Sequence, residues 1–513
     1  MTSTLAYQWL FVRLSLRFSL PFAAAAVGWL GVVFPWLLVR VVPAVQGWRP
    51  PVFTGVWEAA HGPVLAGALV TLLLALAGLL LALWAAAAVY RILPPRVVLW
   101  HRPSAAPLTP PRPPAAGALG RYQRIGIVLA GGGAKGAYQA GALSAIHRFL
   151  AERGALGSVR TIAGTSIGAW NACFWLADRI GEEDGMCERW WSRVRLSEVV
   201  APTFWLPTRR NYVLSADPWR RAFRALFAED PAARDRLLRQ LADADAPGNA
   251  RFYFTRTNVV RAHLEFSTNR REMVDVENAS GRRRPLVPGD RWTRARNLGE
   301  LEEAVFASMD LPPLFEHIRI GDELFEDGGV VENLPIYFGT GIEKCDLLFV
   351  LPLNASFTAR SRSRGVLKRI ERVMAIRQGA LERKALKDVY LYNELAVLRD
   401  RLEGTPAALP KAAPLDAPAG SPDALREAAA KSLAERAARR VHRPVQIFAV
   451  CPDEPLLLDT LEFWKTDAAG RAFRTMREYT LYELEKFDFT APPNWIRVAL
   501  VGPEGEVRYL EDF

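Results

Sequence analysis

The chain reads as an α/β protein: a mostly parallel sheet with helical crossovers, preceded by two helices that cross a membrane. Three patterns lead there. Two long charge-free apolar runs, 18–39 and 63–90, occupy the first hundred residues. From residue 124 onward, short β-type runs alternate with helical ones. The first two strand-to-helix turns of that alternation are rich in glycine, reading "LAGGGAKG" and "AGTSIG".

A helix needs about 20 apolar residues to cross the hydrocarbon core, and both runs are long enough. Pro21 and Pro35 interrupt the first, which also fits the short apolar centre of a signal peptide. The second runs on in Leu and Ala. Each is apolar on every face, unlike a half-buried helix of a soluble protein. Arg13 and Arg17 precede the first span, and Arg91, Arg96, Arg102, Arg112, Arg121 and Arg124 follow the second. The loop between them sets Arg40 and Arg49 against Glu58. The positive-inside rule then places both termini and the bulk of the chain in the cytoplasm, as in a bacterial inner-membrane protein.

Three regions follow. Residues 1–96 form the membrane region. Residues 97–123 form a linker whose "PSAAPLTPPRPPAAG" is semi-rigid and extended. Residues 124–513 form the soluble domain, with a low-complexity loop at 404–424. The net charge is +11, carried mainly by arginine, which suits a protein beside anionic lipid; nucleic acid is not the expected partner. Half the residues are hydrophobic and 23% charged, so a large core is expected and global disorder is not. Four scattered cysteines, Cys173, Cys187, Cys345 and Cys451, form no C-x-x-C pair and suggest neither a zinc site nor a disulfide framework.

In the soluble domain "RIGIVLA" predicts a strand, followed by a helix to about Arg153. Then come the strand "VRTIAG" and the helix "IGAWNACFWLADRI". That order implies parallel strands joined by right-handed crossovers. "RFYFTRTNVV" and "AHLEFST" read as neighbouring strands, and "CDLLFVLPL" as a central buried one. Residues 361–402 turn helical, with Leu367, Ile370, Met374 and Leu381 on one apolar stripe and a basic opposite face. Such a helix packs on the sheet or lies on a membrane. The strand "PVQIFAV" and a further helix through "RAFRTMREYTLYELEKF" close the domain.

Gly164-Thr165-Ser166-Ile167-Gly168 fits G-x-S-x-G between a strand and an apolar helix. On such a turn the serine hydroxyl is lifted clear of the sheet, near the positive end of the next helix. A serine nucleophile also needs donors for the oxyanion and a base for its proton. The amides of Gly132, Gly133 and Ala134, at the turn after the first strand, are candidate donors, with Lys135 adding a positive charge nearby. For the base, none of the six histidines sits in a segment that reads as a catalytic loop. "LFEDGGVVENLP" instead brings Asp327 to the end of a short strand, followed by two glycines; an ordinary Asp-Gly turn has the same spelling.

Taken together, G-G-G-A-K-G, G-T-S-I-G, "ASMDLPPLF" and D-G-G before an N-L-P turn resemble the patatin-like phospholipase family. The resemblance covers about Arg124 to Pro352. It implies a three-layer α/β/α sandwich around a mostly parallel sheet, with no metal or other cofactor. It implies a dyad of Ser166 as nucleophile and Asp327 as base, with Gly131, Gly132, Gly133 and Lys135 on the oxyanion motif and Gly164 and Gly168 at the nucleophile elbow. The implied reaction is hydrolysis of fatty-acyl esters in membrane lipids through an acyl-enzyme. A lipid acyltransferase with the same dyad, or a non-catalytic membrane scaffold, remains open.

Two rivals read the same residues differently. Gly131, Gly133 and Gly136 spell the dinucleotide fingerprint G-x-G-x-x-G, but the acidic residue at the required distance, Glu152, falls at a helix end and not at the end of the second strand. An ordinary Ser-His-Asp hydrolase would have to use His442, the one histidine after Asp327.

Overall fold

The computed structural model describes residue 78 and residues 119–202, 212, 214–275, 284–312, 314–354, 366–403, 444–453, 456–491, 496–503 and 505–510. The expected span at 18–39 lies outside these residues, as does that at 63–90 apart from helical Gly78. So do the proline-rich stretch of the linker and the loop at 404–424. Among the described residues no helix is long and apolar enough to cross a membrane. The chain divides into two units, Met1–Trp100 with Arg362–Arg372, and His101–Ser361 with Val373–Phe513. The second unit holds the sheet.

It opens with β1 (Ile125–Leu129), α1 (Gly136–Glu152), β2 (Val159–Thr165) and α2 (Ile167–Leu176), the alternation expected from the sequence. Helices α3 (Met186–Arg193), α4 (Asp217–Phe223) and α5 (Pro231–Ala242) precede β3 (Arg251–Asn258) and β4 (His263–Thr268). Next come β5 (Trp292–Arg294), α6 (Leu298–Met309), β6 (Ile318–Ile320), β7 (Glu323–Asp327) and β8 (Leu347–Leu351). The long α7 (Val366–Glu403), β9 (Gln446–Pro452), α8 (Thr466–Lys486), β10 (Val498–Val501) and β11 (Val507–Leu510) complete it.

The eleven-stranded sheet runs β6-β7-β3-β2-β1-β8-β9-β10-β11, with β4 beside β3 and β5 beside β4. From β3 through β10 every neighbour is parallel. Antiparallel pairs sit towards the margins. Strands β1 and β8 are buried along their whole length, as parallel strands covered on both faces must be. Side chains alternate across the sheet. Ile125, Ile127 and Leu129 pack with Leu143 of α1, Trp170 of α2 and Phe473 of α8, while Val128 and Val350 pack on the other face with Leu386 and Val389 of α7. Helix, sheet and helix thus form three layers.

Two features position the site. The first is β3, whose one edge is shared by two strands. Residues up to Thr255 pair with β2, and from Arg256 onward the same edge is taken by β7 running the opposite way. Thr165 lies opposite Thr255 and Asp327 opposite Arg256, so the C-terminal ends of β2 and β7 meet one register step apart. The second is α7, which corrects the expected stripe. Met374 and Leu381 are only half-buried, whereas Gln378, Glu382, Leu386, Val389, Asn393 and Ala396 are buried. The helix turns a partly polar face towards the strand ends because polar partners await it there.

Candidate active site

Ser166 stands between β2 and α2 with φ 55° and ψ −125°. Positive φ on a residue with a β-carbon costs on the order of 1–3 kcal/mol and persists only where surroundings enforce it. Here the Ser166 N–H donates to Ser308 Oγ at 2.9 Å, and its carbonyl accepts the Ala169 N–H at 2.9 Å. The flanking glycines are required by close approach. A β-carbon on Gly164 would lie 2.7 Å from the Ala169 nitrogen, and one on Gly168 2.6 Å from the Leu129 carbonyl oxygen. Strand and helix can pass that closely only without side chains, and the passage drives the elbow at Ser166.

Asp327 ends β7 and is buried. Its Oδ1 accepts the Gly329 N–H at 2.7 Å, and the Ser166 side chain lies close enough to lower its pKa. Its own N–H donates to the Asp310 carbonyl at 2.8 Å, and its carbonyl accepts Thr257 Oγ1 at 2.9 Å, which fixes the backbone behind it. Burial pushes its pKa up to about 6, against the pull of the Ser166 and Gly329 donors and with a small push from Glu326. The carboxylate is therefore ionised at neutral pH yet more basic than a surface aspartate. The described histidines have carboxylate partners elsewhere: His147 with Asp178, His263 with Glu265, and His317 with Glu326.

The glycine loop lies against Ser166, since a β-carbon on Gly131 would stand 3.0 Å from Ser166 Cβ. The four residues of the expected oxyanion motif divide into two roles. The Gly131 N–H is taken by the Asn333 carbonyl at 3.2 Å, and the Ala134 N–H by the Thr460 carbonyl at 2.8 Å. The N–H groups of Gly132 and Gly133 meet no acceptor among the described residues and remain available as donors. Gly133 has φ 58°, and a β-carbon there would collide with the Thr460 carbonyl oxygen, so only glycine fits. Lys135 is not a surface lysine beside the substrate; it is buried and its Nζ donates to Asn354 Oδ1.

That contact opens onto a buried polar support. Asn333 Nδ2 and Asn354 Nδ2 both donate to the Gly131 carbonyl, at 3.1 and 3.2 Å. Both also donate to Glu382 Oε1, at 2.6 and 2.9 Å, while the Asn354 N–H donates to Glu382 Oε2 at 2.7 Å. Burial raises the Glu382 pKa to about 7, moderated by these donors and by the charge of Lys135. Sequence reasoning missed Ser308, Asn333, Asn354 and Glu382 as parts of the site. Asn333 had a signal in its N-L-P turn, and Ser308 in "ASMDLPPLF". Glu382 had none, because a glutamate within a basic amphipathic helix reads as solvated.

A serine on an enforced elbow, a buried carboxylate against its hydroxyl and two unspent glycine amides form the arrangement that a serine hydrolase needs. Residues 127–338 match the family model of the patatin-like phospholipases, which supports lipid acyl hydrolysis as the general activity. The glycine loop, Ser166, Ser308, Asp327 and Asn333 fall within the match, whereas Asn354 and Glu382 lie beyond it. The chain is also similar to a solved structure, VipD from Legionella pneumophila. Identity is 14%, covering 71% of this chain and 67% of that one, with a TM-score of 0.32, a likeness too slight to bear on fold or function. No curated protein matches.

Proposed function

We propose that the protein is a membrane-anchored lipid acyl hydrolase that cleaves fatty-acyl esters of phospholipids or lysophospholipids through Ser166 and Asp327. The observation that carries this reading is the buried Asp327 carboxylate against the Ser166 hydroxyl, with no described histidine bonded to Ser166. Asp327 takes the hydroxyl proton as Ser166 Oγ attacks the acyl carbonyl. The Gly132 and Gly133 amides hold the tetrahedral oxyanion, a donor of this kind being worth about 2.7–4 kcal/mol. Collapse expels the alcohol, which leaves with the proton held by Asp327, and the acyl group stays on Ser166. Water then gives its proton to Asp327, attacks the acyl-enzyme and releases the fatty acid, restoring the serine. The charge-free runs at 18–39 and 63–90 and the arginines flanking them support anchoring with the catalytic domain on the cytoplasmic side. Anchoring concentrates the domain beside its substrate.

Fatty-acid release from phospholipid vesicles by the full-length chain tests this. Asp327→Asn should lower it by about 10²–10⁴ while the far-ultraviolet circular dichroism is retained. Undiminished hydrolysis by that variant would refute the dyad.

A further inference from the structure

The large apolar side chains left in water are unevenly placed. Among the described residues eleven are exposed, and six of them, Val259, Val260, Val331, Val373, Ile376 and Trp464, lie at the end of the sheet that carries Ser166 and Asp327. Val259 and Val260 follow directly on β3, which runs three residues past its last pairing with β2 before turning into β4. Val331 comes two residues after Gly329, whose N–H is held by Asp327. Val373 and Ile376 belong to α7, and the guanidinium of Arg377 donates to the Val330 carbonyl, fixing that part of the helix beside the aspartate turn. Trp464 comes four residues after Thr460, whose carbonyl takes the Ala134 N–H of the glycine loop. By contrast, Leu395 and Leu238 lie towards the opposite end of the sheet. Asn393 of α7 bonds Val445 just before β9, and Gln240 of α5 bonds the Ala250 N–H just before β3.

We propose that this apolar rim seats the catalytic domain on an anionic lipid bilayer, with its side chains at headgroup level and the reacting pair facing the lipid. The proposal deepens the hydrolase reading above and rests on it. Exposed apolar side chains gathered at one place mark an interaction surface, and at 62% and 65% exposure Val260 and Val373 are not residual core. The chemistry of the rim suits the boundary between water and hydrocarbon. Tryptophan is favoured at headgroup level, and an arginine such as Arg377 lays its apolar stem on a hydrophobic surface while its charge stays with phosphates and water. The net charge of +11 draws the chain to anionic lipid. A protein partner or a second copy seated on the rim would lie over Ser166 and Asp327 and keep substrate out, whereas a bilayer brings the ester to them. A tether alone leaves the domain free to turn; the rim gives it an orientation.

The four native cysteines are buried, so a cysteine introduced at the surface takes a nitroxide label alone. Val260→Cys, Ile376→Cys and Leu395→Cys are labelled singly in the full-length protein and reconstituted into vesicles of phosphatidylcholine and phosphatidylglycerol. Paramagnetic resonance then compares collision of each label with oxygen and with a water-soluble nickel chelate. Labels at 260 and 376 should favour oxygen, as in lipid, and the label at 395 should favour the chelate. Chelate-favoured collisions at 260 and 376 overturn the proposal, as does spin–spin broadening there, which reports a second copy on the rim. Hydrolysis gives a separate reading. Val260→Asp with Ile376→Asp should lower fatty-acid release from the same vesicles about tenfold and leave cleavage of dissolved p-nitrophenyl butyrate unchanged. Equal loss on both substrates, or none on vesicles, contradicts the docking. If the wild type cleaves neither, the hydrolase reading fails on its own account, and the label collisions still decide whether the rim meets lipid.

Discussion

At Ser166 the backbone adopts φ 55°, a conformation that a β-carbon disfavours. Two variants separate the strain from the chemistry. Both Ser166→Ala and Ser166→Gly should lose hydrolysis, but the glycine variant should be the more stable of the two by about 1 kcal/mol, measured by denaturant unfolding. At Asp327 the raised pKa, about 6, has two consequences of definite sign. The base works only when ionised, so kcat/KM should rise with pH through about 6 and then level. A carboxyl whose folded pKa exceeds its unfolded value contributes stability at low pH and loses it as pH rises through the folded value. The melting temperature of Asp327→Asn should therefore gain on the wild type between pH 5 and pH 8, and a constant gap would contradict the burial argument. These two residues were legible because their chemistry shapes the local sequence: the elbow demands Gly164 and Gly168, and the aspartate turn runs into Gly328 and Gly329. The division of labour within the glycine loop was not legible, since only tertiary partners such as Asn333 and Thr460 decide which amides remain free.

Among the elements, α7 departs most from its sequence pattern. Its apolar stripe is expected at 3.6-residue spacing, yet where it reaches the strand ends it buries Gln378 and Glu382. Period and polarity describe a helix packed on an apolar sheet, and they say nothing of a carbonyl such as that of Gly131, held by two asparagines that need a shared acceptor. Glu382→Gln replaces one acceptor oxygen with a donor facing other donors. We expect kcat to fall about tenfold with KM little changed, because the loop amides act chiefly in the transition state. An unaltered kcat would place Glu382 outside the catalytic support. Strands were easier to foresee than this helix, because β1 and β8 are buried on both faces and so carry runs without a polar side chain. Strands β10 and β11 and the short helices α3 to α6 carried weaker patterns and emerge only from the packing.

For the molecule as a whole, the parallel centre of the sheet follows from the alternation of strand and helix. The meeting of β2 and β7 along one edge of β3 follows from pairing register, which no local pattern encodes. Placement at a membrane rests on residues 18–39 and 63–90 and the arginines around them. A reporter fused after Gly117 should give a cytoplasmic signal, and an external one would overturn the arginine argument. The central claim is that Ser166 is the nucleophile of an ester hydrolase activated by Asp327. Reaction of the purified full-length protein with a fluorophosphonate, followed by peptide mass spectrometry, tests it most directly. The account predicts a single adduct on Ser166, absent from Ser166→Ala and strongly slowed in Asp327→Asn; an adduct elsewhere, or undiminished labelling of Ser166→Ala, would contradict it.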